Sequence, residues 1–183
     1  MKTIQFLSLF ALSGLVLTSC SDDDPEVVNE EEVITTMTIT LTPQDGGTAV
    51  KLQSRDLDGD GPEPPVITVS GNFSARTVYN GSIVLLNETE TPAENITLEV
   101  EEEADEHQFF YTIGASLSAS TEYSNVDENG NPLGTQFTFS AGDESTGNLT
   151  FTLRHDLKKP NDGSLADAGG ETDIAQTFPV VIN

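Results

Sequence analysis

The stretch GNLTFTLRH, residues 147–155, decides the fold class. Its apolar residues Leu149, Phe151 and Leu153 alternate with polar ones. This period of two is typical of a β-strand with one buried face, because successive side chains of a strand point to opposite sides of the sheet. We therefore predict a strand that packs one side against a core. His155, its last residue, has the parity of the buried side.

The same alternation recurs along most of the chain. It is found in residues 34–42, 48–54, 65–71, 77–88, 107–114, 121–142 and 172–183. Turn-forming sequences separate the strands, among them PQDGG at 43–47 and DENGNP at 127–132. About eight or nine short strands at this spacing predict an all-β fold, a single antiparallel β-sandwich of immunoglobulin-like type over residues 33–183.

Residues 92–106 fit two structures. The Thr-x-x-Glu pattern that begins at Thr91, with proline next to it, is a capping box and predicts a helix over about residues 92–106. Ile96, Leu98 and Val100 also alternate, which predicts a strand followed by an acidic loop or a short helical turn. We favour the strand and keep the helix as the alternative.

The N-terminus has the features of a secretory signal peptide over residues 1–19. Lys2 precedes an apolar run, and LTSC at 17–20 resembles a bacterial lipobox, which implies that Cys20 is acylated and anchors the protein to a membrane. The alternative is a thiol that lies there by chance. Since Cys20 is the only cysteine, the chain has no disulfide, thiolate metal site or cysteine nucleophile.

Residues 20–32 read as the lipidated cysteine and an acidic linker. Ser21, Asp22, Asp23 and Asp24 resemble the surface-export signal of Bacteroidetes lipoproteins, which implies display on the outer face of the outer membrane. A solvated acidic linker explains the same residues. An anchor that faces the periplasm is then the alternative location.

Charge and motifs limit the function. The formal net charge is −24, so nucleic acid is a poor partner, whereas cations and basic protein surfaces are suitable ones. The sequence contains no nucleophile elbow, phosphate-binding loop, dinucleotide fingerprint or His-Glu-x-x-His helix. We therefore predict that the protein is not an enzyme.

The two histidines of the chain suggest a metal site. His107 begins one predicted strand and His155 ends another, each with core-facing parity. If these strands are antiparallel neighbours, the two rings meet at one rim of the sandwich, near Glu103, Glu106 and Asp156. Imidazole and carboxylate ligands suit zinc, copper or nickel. The alternative is a pair of ordinary half-buried histidines at strand ends.

A second predicted cation site is DLDGDG at 56–61. Asp56, Asp58 and Asp60, with the glycine in sixth position, resemble the start of a calcium-binding loop. The twelfth position is Ile67, where a complete loop has glutamate. A polar turn between strands is the alternative.

Three segments resemble a known group of proteins. Residues 87–110 (NETETPAENITLEVEEEADEHQFF), 152–157 (TLRHDL) and 168–174 (AGGETDI) are similar to small flavobacterial outer-membrane lipoproteins. That group resembles proteins encoded near TonB-dependent receptors, which implies an accessory role in uptake. It supplies no established functional residues.

We expect an outer-membrane-anchored, non-catalytic binding or accessory module that takes up a metal or a metal-bearing ligand, with a TonB-dependent receptor as partner. The alternative is a structural or adhesive module of the cell envelope with a calcium-stabilised loop.

Overall fold

The predicted alternation becomes nine strands and two short helices in the computed structural model, which describes residues 32–59 and 61–183. Residues 1–31 hold the predicted signal peptide, Cys20 and the export signal Ser21 to Asp24, and these predictions lie outside the described residues. The elements of the described part are β1 (Thr36–Pro43), β2 (Val50–Arg55), β3 (Val66–Val69), β4 (Val78–Leu86), α1 (Ile96–Glu102), β5 (His107–Ile113), β6 (Ala119–Tyr123), β7 (Gln136–Ala141), β8 (Ser145–His155), α2 (Leu165–Ala168) and β9 (Glu171–Ile182).

The strands form two antiparallel sheets. One has six strands in the order β3-β2-β1-β4-β7-β6, and the other has three in the order β5-β8-β9. Buried side chains from both sheets form one hydrophobic core, as expected when two sheets pack face to face. The prediction of an all-β antiparallel sandwich is confirmed, and its immunoglobulin-like type stays a prediction.

The inward faces agree with the sequence pattern. Met37, Ile39 and Leu41 of β1 are fully buried, as are Phe109 of β5 and Phe151 of β8. The strands on either side of the predicted turns at 43–47 and 127–132 pair with each other, β1 with β2 and β6 with β7. Each inward side chain removes apolar surface from water, which stabilises the fold by about 1.5–3 kcal/mol for a fully buried large residue.

Residues 96–102 form a helix, so the favoured strand interpretation was wrong. Ile96 and Val100 are buried on one helix face, while Leu98 is 63% exposed. In a strand all three would share a face. The helix is also shorter than the capping box predicted, because Asn95 rather than Thr91 is the N-cap, and its side chain accepts a hydrogen bond from the backbone N–H of Thr97.

The described residues belong to a unit that extends from Glu31 to Asn183. Its start lies close to residue 33, where the sequence analysis placed the beginning of the sandwich. None of the helices in the described ranges is long and apolar enough to cross a membrane.

Candidate metal centre

The two histidines are direct neighbours. β5 and β8 are antiparallel, and His107 lies opposite His155 in their register. The rings stack with centroids 4.4 Å apart and planes 17° apart. His107 is fully buried and His155 is 7% exposed. The condition set by the sequence, that these strands are antiparallel neighbours, is therefore met, and the two rings meet at one rim as expected in that case.

A glycine holds the end of β8 in place. Gly170 has a φ of +69°, and a Cβ at this position would collide with the carbonyl oxygen of His155 and with the backbone of Leu157. A side chain is therefore excluded here both by conformation and by space. This close approach fixes the backbone that carries His155.

Glu32 lies against both rings. It precedes β1, and its side chain is 3% exposed. Its Oε1 is 2.9 Å from Nε2 of His107, and its Oε2 is 3.8 Å from Nδ1 of His155. The sequence did not reveal this residue, because Glu32 stands at the end of the segment that reads as an acidic linker. No local signal separates it from the neighbouring glutamates.

Asp173 reaches the same place through a β-bulge. In the pairing of β8 with β9, Leu153 lies opposite Ile174 and Arg154 opposite Thr172, so Asp173 is the extra residue. Its side chain is 4% exposed, with Oδ2 3.9 Å from Nε2 of His107. In a regular strand Asp173 would alternate with Ile174 and point to solvent. The sequence analysis missed it for this reason.

The hydrogen bonds of His107 define the role of each ring nitrogen. Nδ1 lies 3.1 Å from the carbonyl oxygen of Glu103, the C-cap of α1. A carbonyl only accepts, so Nδ1 donates its proton. In neutral imidazole Nε2 then carries a lone pair, yet it faces a carboxylate oxygen of Glu32. Two acceptors then face each other, and this contact is unfavourable unless a cation lies between or on them, either a proton or a metal ion.

Acidic groups dominate the surroundings. The ion pairs of Glu32 within the described part of the chain are those with His107 and His155. Burial, followed by the negative charges of Glu32, Glu103 and Glu94, raises the pKa of Glu99 on α1, and His107 opposes this increase only in part. The rim therefore has a local excess of negative charge that favours a bound cation.

The potential ligands form two overlapping groups. The inner group comprises Glu32, Glu103, His107 and His155, whose ligand atoms all lie within 4.8 Å of one another. The outer group comprises Glu106, His155 and Asp156 within the same limit. All five residues of the predicted metal site thus belong to one group or the other. Whether a metal binds to them stays a prediction.

The distances between donor atoms around the two rings are close to those between the ligands of a metal ion. In a tetrahedral zinc site with bonds of about 2.0–2.1 Å, neighbouring ligand atoms are roughly 3.3 Å apart. The inner separations of 2.9, 3.8 and 3.9 Å, from Glu32 to each histidine and from Asp173 to His107, lie on both sides of this value. A ligating histidine that donates its other N–H to a backbone carbonyl, as His107 does to Glu103, is also usual in such sites.

The predicted calcium loop is only partly described, because Asp60 lies outside the described residues. Asp58 stabilises a turn: its Oδ2 accepts a hydrogen bond from the backbone N–H of Glu63, and its carbonyl oxygen accepts one from Gly61. Oδ1 of Asp56 is buried and has no hydrogen-bond partner among the described residues. Calcium binding by this loop stays a prediction.

The turn DENGNP contains a different buried carboxylate. Asp127 Oδ1 accepts hydrogen bonds from the backbone N–H groups of Asn129 and Asn131, as the turn chemistry of this sequence predicts. Its Oδ2 lies 3.4 Å from Nζ of Lys159, and both side chains are almost fully buried. A cation of the protein itself therefore balances this carboxylate.

Comparison with protein-family models, with curated proteins and with solved structures finds no match to this chain. The fold and the rim define its class: an all-β sandwich with a buried cluster of histidines and carboxylates where two strands begin and end. The donor atoms of that cluster are the evidence on its function.

Proposed function

We propose that the protein is an outer-membrane-anchored, non-catalytic binding module that holds a divalent transition metal, or a ligand carrying one, at the inner group. The observation that carries this proposal is the contact between Nε2 of His107 and Oε1 of Glu32 at 2.9 Å, with Nδ1 already engaged by Glu103. A metal ion converts this contact between two acceptors into two bonds to one cation.

The donor set favours zinc, copper or nickel. Imidazole nitrogen suits these borderline ions, whereas calcium takes oxygen ligands and more of them. Two neutral histidines and the carboxylate of Glu32, together with the carboxylate of Asp173 beside the inner group, carry two negative charges, which would balance a divalent ion and make the complex neutral. Neutrality matters here because all four side chains are at least nine-tenths buried, and an unbalanced charge in such a place is costly.

The cellular part of the proposal depends on the sequence. The lipobox-like LTSC places the anchor at Cys20, and the following Ser and Asp residues favour export to the cell surface. The resemblance to flavobacterial lipoproteins favours an accessory role beside a TonB-dependent receptor. In this role the protein would bind the metal or metal-bearing ligand outside the receptor and increase its local concentration.

The composition allows a direct test, because His107 and His155 are the only histidines. Nuclear magnetic resonance of the histidine rings therefore reports on the rim and on nothing else. Protein comprising residues 21–183 is treated with a chelator and titrated with zinc, copper, nickel or calcium. We expect stoichiometric zinc to shift the resonances of both rings together, since both bind one ion.

Variants separate ligands from nearby charge. Glu32→Gln keeps the shape of the side chain but removes its charge, and we expect it to weaken zinc binding by at least about tenfold. Glu102→Gln, an exposed carboxylate at the end of α1, is the matched control and should leave the affinity unchanged. Histidine ring resonances that do not shift with zinc, copper or nickel would contradict the proposal.

A stabilisation by calcium alone, lost in Asp58→Asn and kept in Glu32→Gln, would instead favour the structural or adhesive envelope module.

A further inference from the structure

His155 faces two different groups through its two ring nitrogens. Nδ1 points inward and lies 3.8 Å from Oε2 of Glu32. Nε2 points outward and lies 3.7 Å from Oε2 of Glu106 and 3.9 Å from Oδ1 of Asp156. These separations are too long for hydrogen bonds, so either nitrogen is available to an ion.

The ligand atoms differ sharply in exposure. Glu32 is 3% exposed and His107 is fully buried, so an ion reaches these two ligands only past their neighbours, whereas Glu103 of the inner group is exposed. Glu106 and Asp156 are 54% and 58% exposed at the opening of the rim. His155 is the only described residue that belongs to both groups.

The backbone supports the outer position. Asp156 has a φ of +50°, in the left-handed region that residues with a Cβ rarely adopt. A conformation of this kind persists only where the surrounding structure holds it, and here Gly170 packs against the residues on both sides of Asp156. Its carboxylate is thereby kept beside His155 instead of continuing the line of β8.

We propose that the outer group is a loading site, which takes the ion from solvent and passes it to the inner group through His155. The inference rests on the proposed function. A neutral imidazole has one lone pair, so His155 ligates through Nε2 in the outer position and through Nδ1 in the inner one. In each position the other ring nitrogen would carry the imidazole proton, so that His155 is a neutral ligand in both.

Binding kinetics test this assignment. A residue that lies only on the path of entry changes the association and dissociation rates by the same factor and leaves the dissociation constant unchanged. A ligand of the final centre changes the dissociation constant itself. The test variant replaces both exposed carboxylates of the outer group, by Glu106→Gln and Asp156→Asn. These substitutions keep the side-chain volumes and do not disturb the core.

Zinc loading is followed by stopped flow against a chromophoric chelator. We expect the double variant to slow both loading and release of zinc by about tenfold. This factor is the lower limit of what a charged cleft contributes to an on-rate. The dissociation constant should stay within about twofold of the parent value. The matched control is Glu102→Gln with Glu171→Gln, two exposed carboxylates near the rim that belong to neither group. It should leave both rates nearly unchanged.

Three results would overturn the loading site: unchanged rates in the double variant, equal slowing in the control, or a dissociation constant raised at a constant on-rate. The last would make Glu106 and Asp156 final ligands. Failure of the parent protein to bind zinc, copper and nickel alike would instead overturn the proposed function itself, so the two failures are distinguishable.

Discussion

Two buried carboxylates of this protein are balanced in opposite ways. Asp127, in the turn between β6 and β7, is 1% exposed and faces Lys159 at 3.4 Å. Glu32, before β1, is 3% exposed and faces histidines. The lysine is a permanent cation, whereas a histidine becomes one only when it takes up a proton. The turn therefore holds its own counter-charge, whereas no lysine or arginine among the described residues pairs with Glu32.

The carboxylates of Asp127 and Glu32 also differ in the hydrogen bonds that they accept. Burial alone would raise the pKa of Asp127, but hydrogen bonds from Asn131 and Asn129 and the charge of Lys159 outweigh it and lower this pKa. Burial also lowers the pKa of Lys159, although Asp127 opposes this shift. The carboxylate of Glu32 has no comparable set of donors, and its Oε2 lacks a hydrogen-bond partner within the described residues.

Breaking the lysine pair should have the largest effect. Lys159→Met leaves Asp127 buried without its cation, and we expect the free energy of unfolding to decrease by about 3 kcal/mol. Urea denaturation in the presence of a chelator measures this loss. The control is Lys158→Met, because Lys158 pairs with Asp167 at 2.8 Å but is 60% exposed. It should cost less than about 1 kcal/mol, and an equal cost for both would remove the distinction.

Zinc should act on the rim and not on the turn. At about a hundred times its dissociation constant, zinc should stabilise the parent protein by roughly 2.7 kcal/mol, since it binds the folded state. We expect Lys159→Met to keep this increment and His107→Gln to lose it. Thermal unfolding with and without zinc gives both values. An increment that survives in His107→Gln would place the ion elsewhere.

Neutralising the two carboxylates should change the stability of the metal-free protein in opposite directions. Glu32→Gln removes a buried charge, and its amide N–H can donate to the lone pair on Nε2 of His107, so we expect stability to rise by about 1 kcal/mol. Asp127→Asn deprives Lys159 of its counter-charge and should destabilise the fold. The midpoints of urea unfolding, measured in the presence of a chelator, show whether each variant is more or less stable than the parent. A loss of stability in Glu32→Gln would mean that the rim is already balanced without metal.

The smallest expected effect on stability comes from the ion pair between Arg55 and Glu88. Hydrogen bonds from Arg55 and Thr36 lower the pKa of Glu88 to about 2 from 4.5. Because the folded state holds this proton less tightly, the contribution of Glu88 to stability is complete above about pH 4.5 and is lost as the pH falls towards 2. We expect the stability difference between the parent and Arg55→Gln to shrink over this range. A constant difference in acid unfolding would contradict the assignment.

Much of the fold was accessible from the sequence, because strand faces follow a period of two. The alternation identified the buried residues of β1 and the parity of both histidines, but the meeting of His107 and His155 followed only on the condition that β5 and β8 are neighbours, which alternation does not indicate. The helix α1 was less accessible, since the spacing of Ile96, Leu98 and Val100 satisfies a strand as well. Only tertiary packing, which leaves Leu98 in solvent, decides between them.

The inner group was only half predictable. Glu103 and His107 are close in sequence, so their proximity is local. Glu32 comes from a segment whose composition resembles a linker, and its contact with His107 spans 75 residues. Asp173 depends on one extra residue in the register of β9, which alternation cannot indicate. Long-range contacts and bulges of this kind follow from packing.

The position of Glu32 before β1 has a consequence for shedding of the domain. A protease that cuts the tether after residue 32 would leave the sandwich intact but remove this carboxylate from the rim. In the anchored protein that we propose, release from the cell and loss of the metal would then occur in one event. A cut a few residues earlier would free a domain that still has Glu32 at the rim.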